Sequence, residues 1–142
     1  MHLLDVNVLL YAFRDAAPDH ERYRSWLEDI LDADEPVGVA DLVLSSFVRI
    51  ATHPRVFDPP ATLDDALAFA DAVRDAPNAV PVTPGPRHWE LFERMCREGN
   101  ARGNLVTDAY LAALALESGS EMITTDRDFA RFPGLRWRHP LR

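Results

Sequence analysis

The sequence contains no lysine; all fifteen of its basic residues are arginine. It has one cysteine, which excludes an internal disulfide framework and any zinc site built on several thiolates. Glycine is sparse, 6 in 142 residues, and with the 11 prolines it follows no repeat period, so collagen-like and low-complexity classes are excluded. No apolar stretch approaches the roughly 20 residues that a membrane-spanning helix needs. The opening residues, Met1 to Asp5, lack a basic region followed by an apolar one, so no secretory leader is expected. Positive charge is scarce as well. Fifteen basic residues stand against 23 acidic ones, for a formal net charge of −8. Proteins that coat nucleic acid through counterion release are usually basic, so bulk electrostatic binding is not expected. A bound divalent cation reverses the sign of an acidic pocket, which leaves local contact with phosphates open. What is present is a 47% hydrophobic chain of ordinary domain size, enough for a real core. A single domain over residues 1–142, without a membrane span and cytoplasmic, is the expectation.

Strand and helix signals alternate along the chain. His2–Val6 reads as a first strand, and Asn7 is placed to cap a short helix through Phe13. Tyr23, Trp26, Leu27, Ile30 and Leu31 share one face of a second helix. Pro36–Ala40 reads as a strand, and Asp41 opens a helix to about Thr52, before Pro54. Thr62 can cap a helix carrying Leu63, Ala66, Leu67 and Ala70, and Ala79–Val82 reads as a third strand. Pro86 suits the first turn of a helix with Trp89, Phe92, Met95 and Cys96 on one side. After a flexible break at Gly99–Asn104, Thr107 opens a helix that is apolar nearly all round and ends at Gly119, which predicts burial. Glu121–Thr124 reads as a fourth strand, Asp126–Phe132 as a short helix and Leu135–Arg138 as a last strand. This alternation predicts an α/β fold, a mainly parallel sheet of four or five strands with helices on both faces.

Three carboxylates fall at informative places. Asp5 ends the first strand, Asp108 sits in the first turn of the buried helix, and Asp126 follows the fourth strand, with Asp128 close behind. Ligands of open parallel sheets bind outside the carboxyl ends of the strands. If the first and fourth strands are neighbours, Asp5, Asp108 and Asp126 converge at that edge. Converging carboxylates repel one another unless a cation lies between them or a proton is shared. Oxygen-only donors select Mg²⁺ or Mn²⁺, and such a site activates water and stabilises charge on a phosphoryl group. Taken singly, each of these aspartates is explained as well by helix capping; the set of three favours chemistry.

Leu3–Tyr11 (Leu-Leu-Asp-Val-Asn-Val-Leu-Leu-Tyr), Val106–Ala115 and Thr124–Phe129 together resemble the three motifs of PIN-domain proteins. The segment Phe47–Phe57 resembles the VapC-type toxins of type II toxin–antitoxin systems. The resemblance spans nearly the whole chain. It implies a three-layer fold with strand order 3-2-1-4-5 and a Mg²⁺-dependent endoribonuclease acting through a metal-activated water. It also implies a cognate antitoxin encoded next to the chain, and a homodimer is expected. Asp5, Asp108 and Asp126 then match the family's catalytic and metal-binding acids. Asn7, Thr124, Thr125 and Asp128 are the candidates to orient them. One departure stands out: the family's third-helix glutamate position matches Ser46, for which Asp41, at the start of the same helix, is a candidate substitute. Two other functions compete. One is an inactive relative serving as a binding module. The other is a phosphoryl-transfer or phosphate-binding protein with an acidic pocket, against which the missing lysine argues.

The remaining chemistry-bearing residues are weaker candidates. His2, His20, His53, His88 and His139 share no metal-ligand spacing. Cys96, Trp26 and Trp89 fit core faces. Arg14, Arg49, Arg55 and Arg127 are the arginines nearest the motifs and are candidates to hold phosphates.

Overall fold

The computed structural model describes residues 1–142. The strands are β1 (His2–Leu4), β2 (Val37–Val39), β3 (Ala79–Pro81), β4 (Glu121–Ile123) and β5 (Trp137–Arg138). They form one sheet in the order β3-β2-β1-β4-β5, and every pairing is parallel. The helices are α1 (Val6–Phe13), α2 (His20–Asp32), α3 (Asp41–Ala51), α4 (Leu63–Arg74), α5 (His88–Glu98) and α6 (Asn104–Ser118). A single 3-10 turn at Arg127–Arg131 follows β4. Parallel strands need crossovers, and helices supply them, so strand and helix alternate as the sequence predicts.

Short strands suffice because the three central ones, β2, β1 and β4, are buried on both sides, while the edge strands β3 and β5 are partly exposed. Leu3, Leu4, Val37, Val39, Met122 and Ile123 are all at most 4% exposed. They belong to one core cluster of 28 buried apolar residues that also takes in α1, α3 and α6. Phe47 of α3 lies at its centre, edge-on to Phe13 of α1 at 5.2 Å and beside Phe69 of α4 at 4.9 Å. Truncating a fully buried phenylalanine of this kind costs about 3–5 kcal/mol. Ala109, Leu111, Ala112, Ala113, Leu114 and Ala115 are buried on several sides of α6, as its uniform apolarity requires. Gly119 ends α6 in the left-handed region, φ 67°, where a side chain is disfavoured.

Several local expectations are corrected. Asp5, not Asn7, caps α1: its carboxylate Oδ1 accepts the Val6 N–H at 2.7 Å, and Asn7 lies within the helix. α5 starts at His88, after Pro86, and buries His88, Leu91 and Met95. Trp89 faces outward, 65% exposed, one position off that stripe, so it is not a core residue. α6 starts at Asn104 rather than Thr107, because Gly103, at φ 56°, turns the chain directly into it. Asp108 therefore lies in the second turn of α6, beyond the positions a cap occupies.

Candidate functional site

The strand order makes β1 and β4 neighbours, with Leu4 opposite Ile123. The residues that follow, Asp5 and Thr124, consequently meet at the carboxyl edge of the sheet. The Asp5 N–H donates to the Ile123 carbonyl at 3.0 Å, and the Thr124 hydroxyl donates to Asp5 Oδ2 at 2.7 Å. Both side chains are buried. Asn7, the second residue of α1, donates through Nδ2 to Asp5 Oδ2 at 3.2 Å and to Thr124 Oγ1 at 3.3 Å. Its Oδ1 accepts the Thr125 N–H at 3.3 Å. Thr124 Oγ1 also accepts the Asp126 N–H at 3.0 Å, and Asp126 Oδ1 accepts the Asp128 N–H at 2.8 Å. Thr125 thus enters the network through its backbone, whereas Asn7 and Thr124 enter through their side chains.

Two of the acids are held out of the ordinary carboxylate range. Burial raises the Asp5 pKa, against the Thr124, Val6 and Asn7 hydrogen bonds, and the charge of Asp126 raises it further. Asp108 is pushed up to about 7, first by burial and then by the charges of Asp5, Asp126 and Asp128. No hydrogen bond offsets this; only the Arg131 guanidinium acts the other way. Asp5, Asp108, Asp126 and Asp128 therefore share one electrostatic neighbourhood. As their side chains stand, no three or more His, Cys, Asp or Glu groups are placed to hold an ion among themselves. Asp41 lies elsewhere. It is exposed and accepts from Arg74 Nε at 3.2 Å, at the α3–α4 groove.

Arg131 was not among the candidates, although it follows Asp126 by five residues within the same turn. Its Nη1 donates to the Gly99 carbonyl at 2.9 Å, which anchors the loop before α6 against the turn. No local pattern marks Arg131, because its effect on Asp108 depends on the turn after β4 lying beside α6, a tertiary contact.

Parallel strands in this order, with acids gathered where β1 and β4 end, define an α/β domain with an acidic centre at the carboxyl edge. The PIN domain family matches residues 2–135. Ribonuclease VapC43 of Mycobacterium tuberculosis is 46% identical over 141 residues, spanning 99% of this chain and 96% of that protein. Ribonuclease VapC25 of the same organism is 44% identical, spanning 99% of both. Among solved structures, VapBC2 from Rickettsia felis bound to a promoter DNA fragment superposes with a TM-score of 0.70 at 16% identity, covering 96% of each chain. VapC20 of Mycobacterium tuberculosis, described as a sarcin–ricin loop cleaving toxin, gives a TM-score of 0.66 at 16% identity and covers 96% of this chain and 99% of its own. At these identities the structures speak to the fold alone. The chain belongs to the PIN-domain family, and within it to the VapC ribonucleases.

Proposed function

We propose that the protein is the toxin of a type II toxin–antitoxin pair, an endoribonuclease that hydrolyses RNA phosphodiester bonds with Mg²⁺ or Mn²⁺. The observation that carries this reading is the gathering of Asp5, Asp108, Asp126 and Asp128 where β1 and β4 end, close enough that burial and the other three acids push the Asp108 carboxyl up to about 7. A site that holds four acids together, none of them in a salt bridge and with Arg131 alone acting on Asp108 from a distance, is arranged for a cation. The donors are all oxygens, which suits a hard ion. Mg²⁺ is ordinarily held by one or two carboxylates, waters and substrate phosphates, so a complete protein cage is not required. Asp5, Asp108 and Asp126 are the residues that would hold it, and the ion would supply charge neutralisation and activation of water at the scissile phosphate.

The chain's own contribution is orientation. Thr124 and Asn7 fix the Asp5 carboxylate from two sides, and Asp128 fixes Asp126 through its N–H. Charge alone would drive RNA away from this edge, so cleavage should depend wholly on the divalent ion. A mixed RNA pool is expected to be cut with Mg²⁺ or Mn²⁺ and left intact with a chelator. Cleavage that persists at full rate in the chelator would overturn the reading.

Restraint of such an activity calls for a partner, and the family points to a cognate antitoxin encoded next to the chain. The net charge of −8 favours an Arg- or Lys-rich partner segment. Self-association as a two-fold homodimer is part of the same reading. Co-expression with the adjacent reading frame is expected to give a co-purifying, RNase-silent complex.

A further inference from the structure

Asn7, Leu10 and Tyr11 share one stripe of α1, and Arg14, the residue that ends the helix, continues it at i+7. The stripe lines a cleft of about 420 Å³ whose opposite wall includes Ile50 of α3 and Phe57 of the loop that follows. One end of the stripe is the asparagine that binds Asp5 and Thr124. Its other end, seven residues and about 10 Å along the helix, is an arginine. The cleft is thus continuous with the acidic centre, and its walls carry two aromatic rings.

Arg14 has an unusual position for a charged side chain. It is half-buried, and its guanidinium carbon lies 3.8 Å from the centre of the Phe57 ring. It has no carboxylate within ion-pair distance, unlike Arg22, Arg24, Arg74, Arg94, Arg97 and Arg138, and among the unpaired arginines it is the one stacked on an aromatic ring. Asp15 and Asp58 line an adjoining cleft that Arg14 and Phe57 also border, without reaching ion-pair distance of Arg14, and Asp15 lies 3.3 Å from His20 Nε2. In a chain with excess negative charge, an arginine left free beside the acidic centre is set for an external anion. Its planar fork matches a phosphate, and its stacking on Phe57 keeps that fork oriented.

We infer that the cleft between α1 and the loop after α3 is a nucleotide subsite for single-stranded RNA. In it, Arg14 binds a backbone phosphate next to the one being cut, and a base packs against Tyr11 and Phe57. This rests on the ribonuclease reading and adds a residue set for substrate positioning. Single-stranded RNA is recognised by splaying bases onto aromatic rings and guanidinium planes, which are the groups that meet here. An apolar cleft with one oriented cation suits a nucleotide, with its base and its phosphate, better than a purely apolar segment.

The test is steady-state cleavage of a short random-sequence RNA pool with Mg²⁺, followed by sequencing of the products. Arg14→Ala and Phe57→Leu are expected to raise KM about tenfold with kcat little changed, and to erase a nucleotide preference at one position beside the cut. Arg14→Lys should recover much of the KM, because charge is retained, but not the preference, because the flat stacking group is lost. Arg136→Ala, an exposed arginine just before β5 and so at the amino edge of the sheet, opposite the acidic centre, should match wild type. The subsite is overturned if folded Arg14→Ala and Phe57→Leu keep wild-type KM and cut-site profile while the wild type is active. It is overturned likewise if those variants keep the RNA kinetics but lose co-purification of the adjacent gene product, which would give the cleft to a polypeptide. A wild-type chain that leaves the RNA pool uncut with Mg²⁺ would instead sink the ribonuclease reading, and the subsite with it.

Discussion

The Thr124 hydroxyl donates to Asp5 Oδ2 at 2.7 Å, joining two buried residues 119 positions apart in the chain. The bond exists because β1 and β4 pair in register and both chains pass the carboxyl edge together. The same oxygen of Thr124 accepts from Asn7 and from the Asp126 N–H, so one hydroxyl organises two of the three acids.

Replacing Thr124 by valine keeps the shape and removes the hydroxyl. A buried carboxylate then loses a donor, and two donors lose their acceptor. Destabilisation of about 1–3 kcal/mol is expected by urea unfolding. Because this bond lowers the Asp5 pKa, its loss moves that pKa still higher. RNA cleavage by Thr124→Val should accordingly reach its plateau at higher pH than wild type, and Thr124→Ser should restore both stability and profile. A valine variant as stable as wild type would show that the hydroxyl holds nothing in place.

Asp108 gives the fold a pH dependence of definite sign. Its folded pKa, about 7, lies above the ordinary value of 3.8, so the folded state binds the proton more tightly than the unfolded one. The stability this provides is complete below about pH 4 and is lost as pH rises toward 7. Asp108→Asn removes that loss. It should be more stable than wild type at pH 7.5 by on the order of 1–2 kcal/mol, after allowance for solvent screening of a half-buried group. At pH 4 the two proteins should be nearly equal. The comparison is made by thermal unfolding without divalent ions at both pH values, and an equal difference at the two would refute the assignment.

Much of this arrangement was legible in the sequence. The alternation of strand and helix, the sheet order carried by the motif resemblance, and the meeting of Asp5 with the residues after β4 all emerged from short local patterns. The helix starts were less legible. Asn7 is a good cap by residue type, yet Asp5 takes that role because the strand ends at Leu4, two residues before the Val6 that the sequence suggests. Thr107 reads as the start of α6, three residues late, because side-chain capping is visible in a sequence and the positive φ of Gly103 is not. Trp89 was assigned to the core because a four-residue apolar stripe on α5 fits two neighbouring faces, and contact with α6 decides between them. The cleft at Arg14 depends on α3 and its following loop lying beside α1, a tertiary fact with no local signature.

Asp5→Asn, Asp108→Ala and Asp126→Ala are each expected to abolish RNA cleavage while leaving a folded protein. Groups that act on one centre lose activity as a unit, so the Asp108→Ala/Asp126→Ala double variant should be hardly slower than either single one. Residual rates from a long-incubation assay with matched Mg²⁺ decide this. If the two losses multiply, the residues serve separate sites.

Ser46 is the place where the chain departs from the family's acidic pattern, and its position makes the departure testable. It lies half-buried in the middle of α3, four residues before Ile50, so the two share a helix stripe. Ile50 lines the cleft that also contains Asn7, which places this stripe on the side of α3 that faces α1. Asp41 does not make up the missing charge, because it is committed to Arg74 on the α4 side. A glutamate at position 46 would add a negative group to a neighbourhood already crowded with them. Without divalent ions, Ser46→Glu should therefore destabilise the fold and raise the Asp108 pKa further, by like-charge repulsion. With Mg²⁺ the same charge becomes favourable, and ion binding should tighten about tenfold. Isothermal titration with Mg²⁺ and thermal unfolding with and without the ion read these two effects. A metal titration unchanged from wild type, with the fold retained, would place Ser46 outside the reach of the acidic centre.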